Sequence, residues 1–180
     1  MVIDIRHETM ADIPAIEAVT IAAFLHAPHT SHTEQFIVRA LRKASCLTVS
    51  LVADAAGVLV GHVAISPVTL SDGVSESEGS SGSDNASGWF GLGPLSVVPE
   101  HQRRGVGSRL MREALRILRE RGAAGCVVLG EPAYYGRFGF RVEPNLVLPG
   151  VPPEYFQALS FDSSRPCGVV AYHAAFDARE

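Results

Sequence analysis

Apolar residues in the first quarter of the chain follow a strand-like spacing and then a helical one. Residues 2–6 alternate like a short strand, and apolar positions recur at helical spacing over residues 9–24. Thr9 and Asp12 are both suitable N-caps for this helix. A second helix is predicted from about Thr33. Its apolar face consists of Phe36, Ile37, Ala40 and Leu41.

Two runs rich in β-branched residues follow these helices. LTVSLVAD and LVGHVAISPVTL are joined by Ala55-Ala56-Gly57, a combination typical of a hairpin. Residues 71–88 differ in kind, because 11 of these 18 residues are Ser or Gly and four are acidic. Such a segment has too few apolar groups to build a core, so we predict a flexible loop. Strand-like residues resume at once with WFGLGPLSVV, which places the loop inside one domain.

The second half begins with a strand–helix–strand pattern. A helix of about four turns is predicted from Gly105 to about Gly122, where glycine is typical of a C-terminal stop. Its apolar stripe consists of Val106, Leu110, Met111, Ala114, Leu115 and Leu118. The strand CVVLG follows, then a helical turn within VPPEYFQALSF and a last strand within GVVAYHAAF. This order predicts a mixed α/β (α+β) fold with antiparallel hairpins and one β-α-β crossover.

Composition and charge narrow the class of protein. With 180 residues, 47% hydrophobic and 19% charged, the chain is predicted to form a single domain over 1–180. The formal net charge of −4 gives no attraction to nucleic acid or to an anionic membrane. Asp4, Arg6 and Glu8 interrupt the region where a secretory signal is apolar, and no apolar run reaches the roughly 18 residues of a membrane span. Three cysteines without a C-x-x-C pair also suit a reducing, cytoplasmic location.

The turn Gln102-Arg103-Arg104-Gly105-Val106-Gly107 lies between a predicted strand and a predicted helix. Backbone N–H groups at such a helix start point in one direction, at the positive end of the helix dipole, and favour a phosphate. The Rossmann fingerprint fails because Leu110 stands where a third glycine is needed, and the P-loop fails at Gly107-Ser108-Arg109. Spacing alone leaves two interpretations, a phosphate site or a tight turn with solvated arginines.

A second motif separates these interpretations. The pattern Gln102-x-x-Gly105-x-Gly107, preceded by GPLSVVPEHQ and followed by an amphipathic helix, resembles the acetyl-CoA loop of the GNAT acetyltransferase superfamily. AYYGRFGF resembles the Y-x-x-x-G-F element that follows the next strand in that family. LGEPAYYGRFGF and PPEYFQAL are similar to its YhbS-like branch, and the resemblance covers nearly the whole chain. It implies a GNAT fold, a mixed and mostly antiparallel twisted sheet flanked by helices, and an acetyl-CoA-dependent N-acetyltransferase.

The resemblance also implies a set of cofactor-binding residues. The pantetheine arm of acetyl-CoA is expected along the strand backbone, and the pyrophosphate at the main-chain N–H groups of the turn. Gln102 is expected to stabilise the turn itself. The residues implied are Leu95, Ser96, Val97, Gln102, Arg103, Arg104, Gly105, Val106, Gly107 and Ser108.

The family's general acid, which protonates the leaving thiolate, matches Tyr135 in Y-x-x-x-G-F. A phenol with an ordinary pKa near 10 is still protonated at neutral pH and suits this role. Tyr134 is expected to be a core aromatic instead. WFGLGPLSVV has no carboxylate where family members often place a base, so the proton of the amine is expected to leave through a water chain or another residue. The candidates for that residue are Glu34, His62 and Ser66.

Two further inferences remain open at this level. His26, His29 and His32 are spaced like metal ligands on a helix, but Pro28 interrupts such a helix, so we predict no metal. The preferred acceptor is a small-molecule amine. A protein or peptide amine and a non-catalytic CoA-binding sensor are the alternatives, and a homodimer is an open possibility.

Overall fold

The computed structural model describes residues 2–28, 30, 32–71, 88–163 and 166–180. Its strands are β1 (Asp4–His7), β2 (Val49–Ala55), β3 (Val58–Ser71), β4 (Trp89–Val97), β5 (Gly125–Leu129), β6 (Leu146–Val147), β7 (Phe156–Ser160) and β8 (Gly168–Tyr172). Its helices are α1 (Ile13–Phe24), α2 (Glu34–Lys43), α3 (Val106–Glu120) and α4 (Pro132–Tyr135). The loop predicted at 71–88 lies outside the described residues except for its two ends.

The main sheet has the strand order β1-β2-β3-β4-β5-β7. All of its neighbours are antiparallel except β4 and β5, which are parallel and are joined by α3. β8 runs antiparallel to residues 68–71 of β3, and β6 pairs with β8. The predicted mixed, mostly antiparallel sheet with one β-α-β unit is confirmed.

Helices cover both faces of this sheet. Side chains along β2 point alternately to the two faces of the sheet. Leu51 belongs to the core cluster under α3, whereas Val52 packs on Ile16 of α1 and Val38 of α2. α3 buries its predicted stripe almost completely, with Leu110 fully inaccessible to solvent. At 15 residues, α3 is the longest described helix, and none of the described helices is long and apolar enough to cross a bilayer.

The structure adds a strand near the C-terminal end of the chain that the sequence analysis did not predict. The helical turn predicted within residues 151–161 is the short 3-10 helix Pro153–Tyr155, and the residues after it form β7 beside β5. β7 contains a buried polar side chain, that of Gln157. Its Nε2 donates a hydrogen bond to the carbonyl oxygen of Gly130, 3.0 Å away. This hydrogen bond offsets the loss of water around the buried amide. Because its partner is distant in sequence, the local pattern of residues does not predict the burial of Gln157.

Candidate active site

The parallel strands β4 and β5 separate at one end. Residues 89–92 pair with residues 125–128, whereas Leu95, Ser96 and Val97 pair only with β3. On the other edge of these three residues, no strand of the described chain continues the sheet. Backbone groups that point to this edge are therefore available to an extended ligand, as at the edges where peptides add a strand.

The turn between β4 and α3 is held from inside by one side chain. The Nε2 of Gln102 donates a hydrogen bond to the carbonyl oxygen of Val97, 3.0 Å away. Arg103 and Gly105 have left-handed backbone conformations, with φ of 58° and 84°. α3 begins directly after Gly105, and no side chain caps its first turn. The first N–H groups of α3 therefore lie open at the positive end of the helix dipole, which suits a phosphate.

The predicted cofactor-binding residues differ in what they can offer. Ser96 and Val106 are almost completely buried, and the Ser96 hydroxyl lies 3.4 Å from that of Thr20 on α1. Leu95 and Val97 are partly exposed, and Arg103 and Arg104 are exposed. The predicted strand and turn residues thus differ in how accessible they are to a ligand.

Tyr134 faces the start of α3. A Cβ at Gly107 would lie 2.7 Å from the Tyr134 hydroxyl oxygen, so the absence of a side chain at Gly107 makes room for it. The guanidinium of Arg137 lies 4.4 Å from the Tyr134 ring centroid. Tyr134 is half-buried, and its hydroxyl belongs to the same surface as the turn.

Tyr135 points toward the end of β5, where the two parallel strands separate. A Cβ at Gly130 would lie 2.4 Å from the Tyr135 ring, and the ring packs edge-on to Phe140 with centroids 6.0 Å apart. Both tyrosines are partly buried and pack against the core cluster under α3. They face different neighbours because α4 is one turn long and their rings lie nearly perpendicular, at 81°.

Burial affects the acidity of both phenols. It raises the pKa of Tyr134, although the Ser108 hydroxyl and the charges of Arg137 and Arg112 oppose the shift. It raises the pKa of Tyr135 well above 10, and the neighbouring Tyr134 and Cys126 add to the shift. Tyr135 therefore keeps its proton at neutral and moderately alkaline pH, as a proton donor must.

The three residues considered as bases occupy different environments. Glu34 accepts a hydrogen bond from the Thr30 hydroxyl at 2.6 Å, and its second carboxylate oxygen is buried without a partner among the described residues. The Ser66 hydroxyl is buried and also lacks a described partner. His62 is fully buried between β2 and β4. None of the three is joined by a described contact to Tyr135.

His62 belongs to a polar network that the sequence analysis did not find. Arg42 donates two hydrogen bonds to the carboxylate of Glu8, at 3.0 and 2.9 Å. The Ser50 hydroxyl lies 2.5 Å from the same carboxylate and 2.8 Å from the Nε2 of His62. A carboxylate only accepts, so Ser50 donates to Glu8 and accepts from His62, which assigns the proton of His62 to Nε2. Its Nδ1 then carries a buried lone pair that accepts no hydrogen bond from a described residue.

The histidine cluster does not form a metal site within the described residues. No group of three His, Cys, Asp or Glu side chains converges there, and His29 lies outside the described residues.

Comparison with known proteins identifies the family of this chain. The model of the Acetyltransferase (GNAT) family matches residues 13–140, a range that includes the β4–α3–β5 unit and α4. The chain belongs to the GNAT acetyltransferase family. It is 34% identical to the uncharacterized N-acetyltransferase YhbS of Escherichia coli (strain K12) over 180 residues, covering 96% of this chain and 98% of YhbS. The predicted family and the predicted enzyme class, an N-acetyltransferase, are confirmed.

Solved structures of GNAT proteins show the same fold. A GNAT acetyltransferase from Brucella melitensis in complex with acetyl-CoA is 44% identical, with a TM-score of 0.80 and coverage of 98% of this chain and 99% of that one. YhbS from Escherichia coli in complex with CoA is 33% identical, with a TM-score of 0.81 and coverage of 97% and 92%. The GNAT fold predicted from the turn and the tyrosine motif is therefore confirmed over nearly the whole chain.

Proposed function

We propose that this GNAT protein transfers the acetyl group of acetyl-CoA to the primary amine of a small acceptor. The observation that carries the proposal is the arrangement of the backbone over residues 95–108. No described strand pairs with the outer edge of β4 at residues 95–97, Gln102 holds the turn, and no side chain caps the start of α3. The pantetheine arm fits the edge, and the pyrophosphate fits the N–H groups from Arg103 to Ser108. The complexes of the Brucella melitensis protein with acetyl-CoA and of YhbS with CoA support the choice of ligand.

The reaction is direct attack of the amine nitrogen on the thioester carbonyl carbon. A C–N bond forms, the C–S bond breaks, and the electron pair of that bond leaves on sulfur. Tyr135 then supplies the proton that turns the thiolate into free CoA thiol, because it lies where β4 and β5 separate and keeps its proton at neutral pH. The phenolate left on Tyr135 takes a proton back from water, which balances the proton that the amine releases. Tyr134 instead contacts the start of α3, where the pyrophosphate is placed.

The amine must lose a proton before or during the attack, since a lysine-like amine is mostly protonated at pH 7. β4 carries no carboxylate along Trp89–Val97, so the strand beside the thioester offers no such base. The other candidates, Glu34, His62 and Ser66, make no described contact with Tyr135. We infer that the proton leaves through a chain of water molecules.

The acceptor class is tested by measuring thiol release from acetyl-CoA with the purified protein. The panel contains small primary amines, amino acids, and peptides with a free N-terminus or lysine. Release with small amines supports the proposal, and release only with peptides assigns the protein to the alternative acceptor class. A protein that binds acetyl-CoA but releases no thiol with any amine is a CoA-binding sensor.

Ligand binding has a direct consequence for stability. Acetyl-CoA at about ten times its Kd is expected to stabilise the folded protein by about 1.4 kcal/mol, because it binds only the native state. For a chain of this length that raises Tm by roughly 3–6 °C, measured by calorimetry. ATP and NADH at the same concentration lack the pantetheine arm and are expected to produce a smaller shift. Equal shifts with all three ligands contradict the assignment.

Gly105→Val is expected to weaken CoA binding about tenfold. A β-branched residue at φ of 84° is strained, so the turn relaxes and its N–H groups no longer converge on the pyrophosphate. Gly122→Val is the matched control, because Gly122 has φ of 73° just after α3 and, like Gly105, has no neighbour within 4 Å of an added Cβ. Both variants should lose about 1–2 kcal/mol of stability, and only Gly105→Val should lose affinity in titration calorimetry. Equal affinities in both variants place the phosphate elsewhere.

A further inference from the structure

The ring of Tyr172 occupies a gap in the sheet that only glycine leaves open. Tyr172 is the last residue of β8, and its ring lies over Gly91 of β4. A Cβ at Gly91 would lie 2.3 Å from Tyr172 Cε1 and 2.7 Å from Val68 Cγ1. Phe176 supports the ring from the next segment, with centroids 4.6 Å apart. The position of the ring is therefore fixed by its neighbours on β3, β4 and the residues after β8.

The hydroxyl of Tyr172 has no role in this packing. Its oxygen is inaccessible to solvent and makes no hydrogen bond with any described residue, although Tyr172 as a whole is partly exposed. A buried hydroxyl without a hydrogen-bond partner destabilises the folded protein relative to a paired one. A phenylalanine would fill the same space without this cost, so packing alone does not account for a tyrosine here.

The hydroxyl of Tyr172 lies close to the end of the β4–β5 pairing. Tyr172 packs on the sheet face opposite α3, against a core cluster separate from the one under α3. A Cβ at Gly91 would lie 2.3 Å from Tyr172 Cε1, the ring atom bonded to the carbon that carries the hydroxyl. Gly91 lies one residue before the last β4–β5 pair, Leu92 and Val128. The oxygen is therefore near the point where the two strands separate.

The state of this phenol fits a donor rather than an acceptor of protons. Burial raises the pKa of Tyr172 well above 10, and Cys126 and Tyr135 add to the shift. The hydroxyl stays protonated across the pH range in which acyl transfer from a thioester is practical.

We propose that the Tyr172 hydroxyl donates a hydrogen bond to the carbonyl oxygen of the acetyl group of acetyl-CoA. The inference rests on the proposed function, which places the thioester where β4 and β5 separate. During attack the carbonyl oxygen gains negative charge, and a fixed donor in a water-poor site stabilises that charge. The two phenols then have separate roles. Tyr172, on one face of the sheet, donates a hydrogen bond to the carbonyl oxygen, and Tyr135, on the other face, donates a proton to the sulfur.

The test compares two ligands that differ only in the acetyl group. In Tyr172→Phe, the Kd of acetyl-CoA is expected to rise about fivefold, the effect of one net hydrogen bond, while the Kd of CoA stays the same. Both are measured by titration calorimetry. Tyr155→Phe, which removes a hydroxyl from an exposed tyrosine, should change neither Kd. Infrared spectra of bound acetyl-CoA labelled with ¹³C at the carbonyl give a second readout, in which the carbonyl band should move to higher frequency in Tyr172→Phe.

The outcomes separate this inference from the proposed function. If the unmodified protein binds neither ligand, the proposed function fails. If it binds both, and Tyr172→Phe changes the two affinities equally or leaves the carbonyl band in place, the hydroxyl does not contact the acetyl group and the inference is overturned. A carbonyl band in the unmodified protein at the frequency of a thioester in an apolar solvent, where the carbonyl accepts no hydrogen bond, also overturns it, and that measurement needs no variant.

Discussion

Tyr135→Phe is expected to lower the turnover rate about 100-fold, the low end for a positioned general acid, while CoA affinity stays nearly unchanged. The substitution removes one hydroxyl and keeps the ring that packs beside Gly130 and Phe140. The loss should shrink above about pH 8.5, where a thiolate similar to that of cysteine can leave without being protonated. Steady-state rates from pH 6 to pH 10 with a reactive amine measure both effects.

Tyr134→Phe is the matched control, since it makes the same chemical change one residue earlier. The Tyr134 hydroxyl lies at Gly107, so its loss should affect CoA affinity slightly and turnover much less. If Tyr134→Phe loses turnover and Tyr135→Phe does not, the roles of the two tyrosines are reversed. If both variants keep full activity at every pH, the phenols are structural and water protonates the thiolate.

Glu8→Ala is expected to lower the free energy of unfolding by about 2–3 kcal/mol, somewhat less than for breaking a fully buried ion pair. It leaves the Arg42 guanidinium without its two carboxylate contacts and the Ser50 hydroxyl without its acceptor. Glu17→Ala is the control, because Glu17 and Arg39 form an exposed pair at 2.7 Å, which is worth at most about 1 kcal/mol. Urea unfolding of both variants at pH 7 gives the comparison. Equal losses in the two variants mean that the buried network adds no stability.

The same network gives the protein a defined acid sensitivity. Burial raises the pKa of Glu8, but contacts with His62, Arg42 and Ser50 lower it by more, to about 2 from an ordinary 4.5. A folded-state pKa below the unfolded value stabilises the protein above pH 4.5, and this part of the stability is lost between pH 4.5 and about 2. Burial lowers the pKa of His62 below 6.5, although Glu8 opposes the shift, so stability also declines as pH falls below 6.5. Glu8→Gln should flatten the lower part of this profile.

The β4–α3–β5 unit could be predicted from sequence because its signals are local. The glycine turn, the stripe from Val106 to Leu118 and the strand CVVLG each follow from spacing over a few residues. β7 could not be predicted in this way, since five residues beside a Pro-Pro-Glu-Tyr turn become a strand only through pairing with β5. Its buried Gln157 is explained by Gly130, 27 positions earlier.

In the candidate site, too, local features could be predicted from the sequence and long-range contacts could not. The motif Y-x-x-x-G-F singles out Tyr135, but the positions of Tyr134 beside Gly107 and of Tyr135 beside Gly130 depend on the orientation of a single helical turn. The contact between Gly91 and Tyr172 depends on the register of β8 along β3, which no local pattern encodes. The Glu8 network joins residues 34 and 42 positions apart, so it too appears only in three dimensions.

The pairing of β8 with the outer half of β3 has a consequence during protein synthesis. Thr69 pairs with Ala171, 102 positions later in the chain. The edge of β3 at residues 68–71 therefore has no pairing strand until the ribosome has synthesised β8. Val68 and Leu70 lie on that bare edge, and an unpaired apolar strand edge is a template for aggregation between nascent chains. A translation product that stops before Gly168 therefore lacks Tyr172 and also exposes an unpaired, aggregation-prone strand edge. We expect chaperones and proteases to act on such fragments.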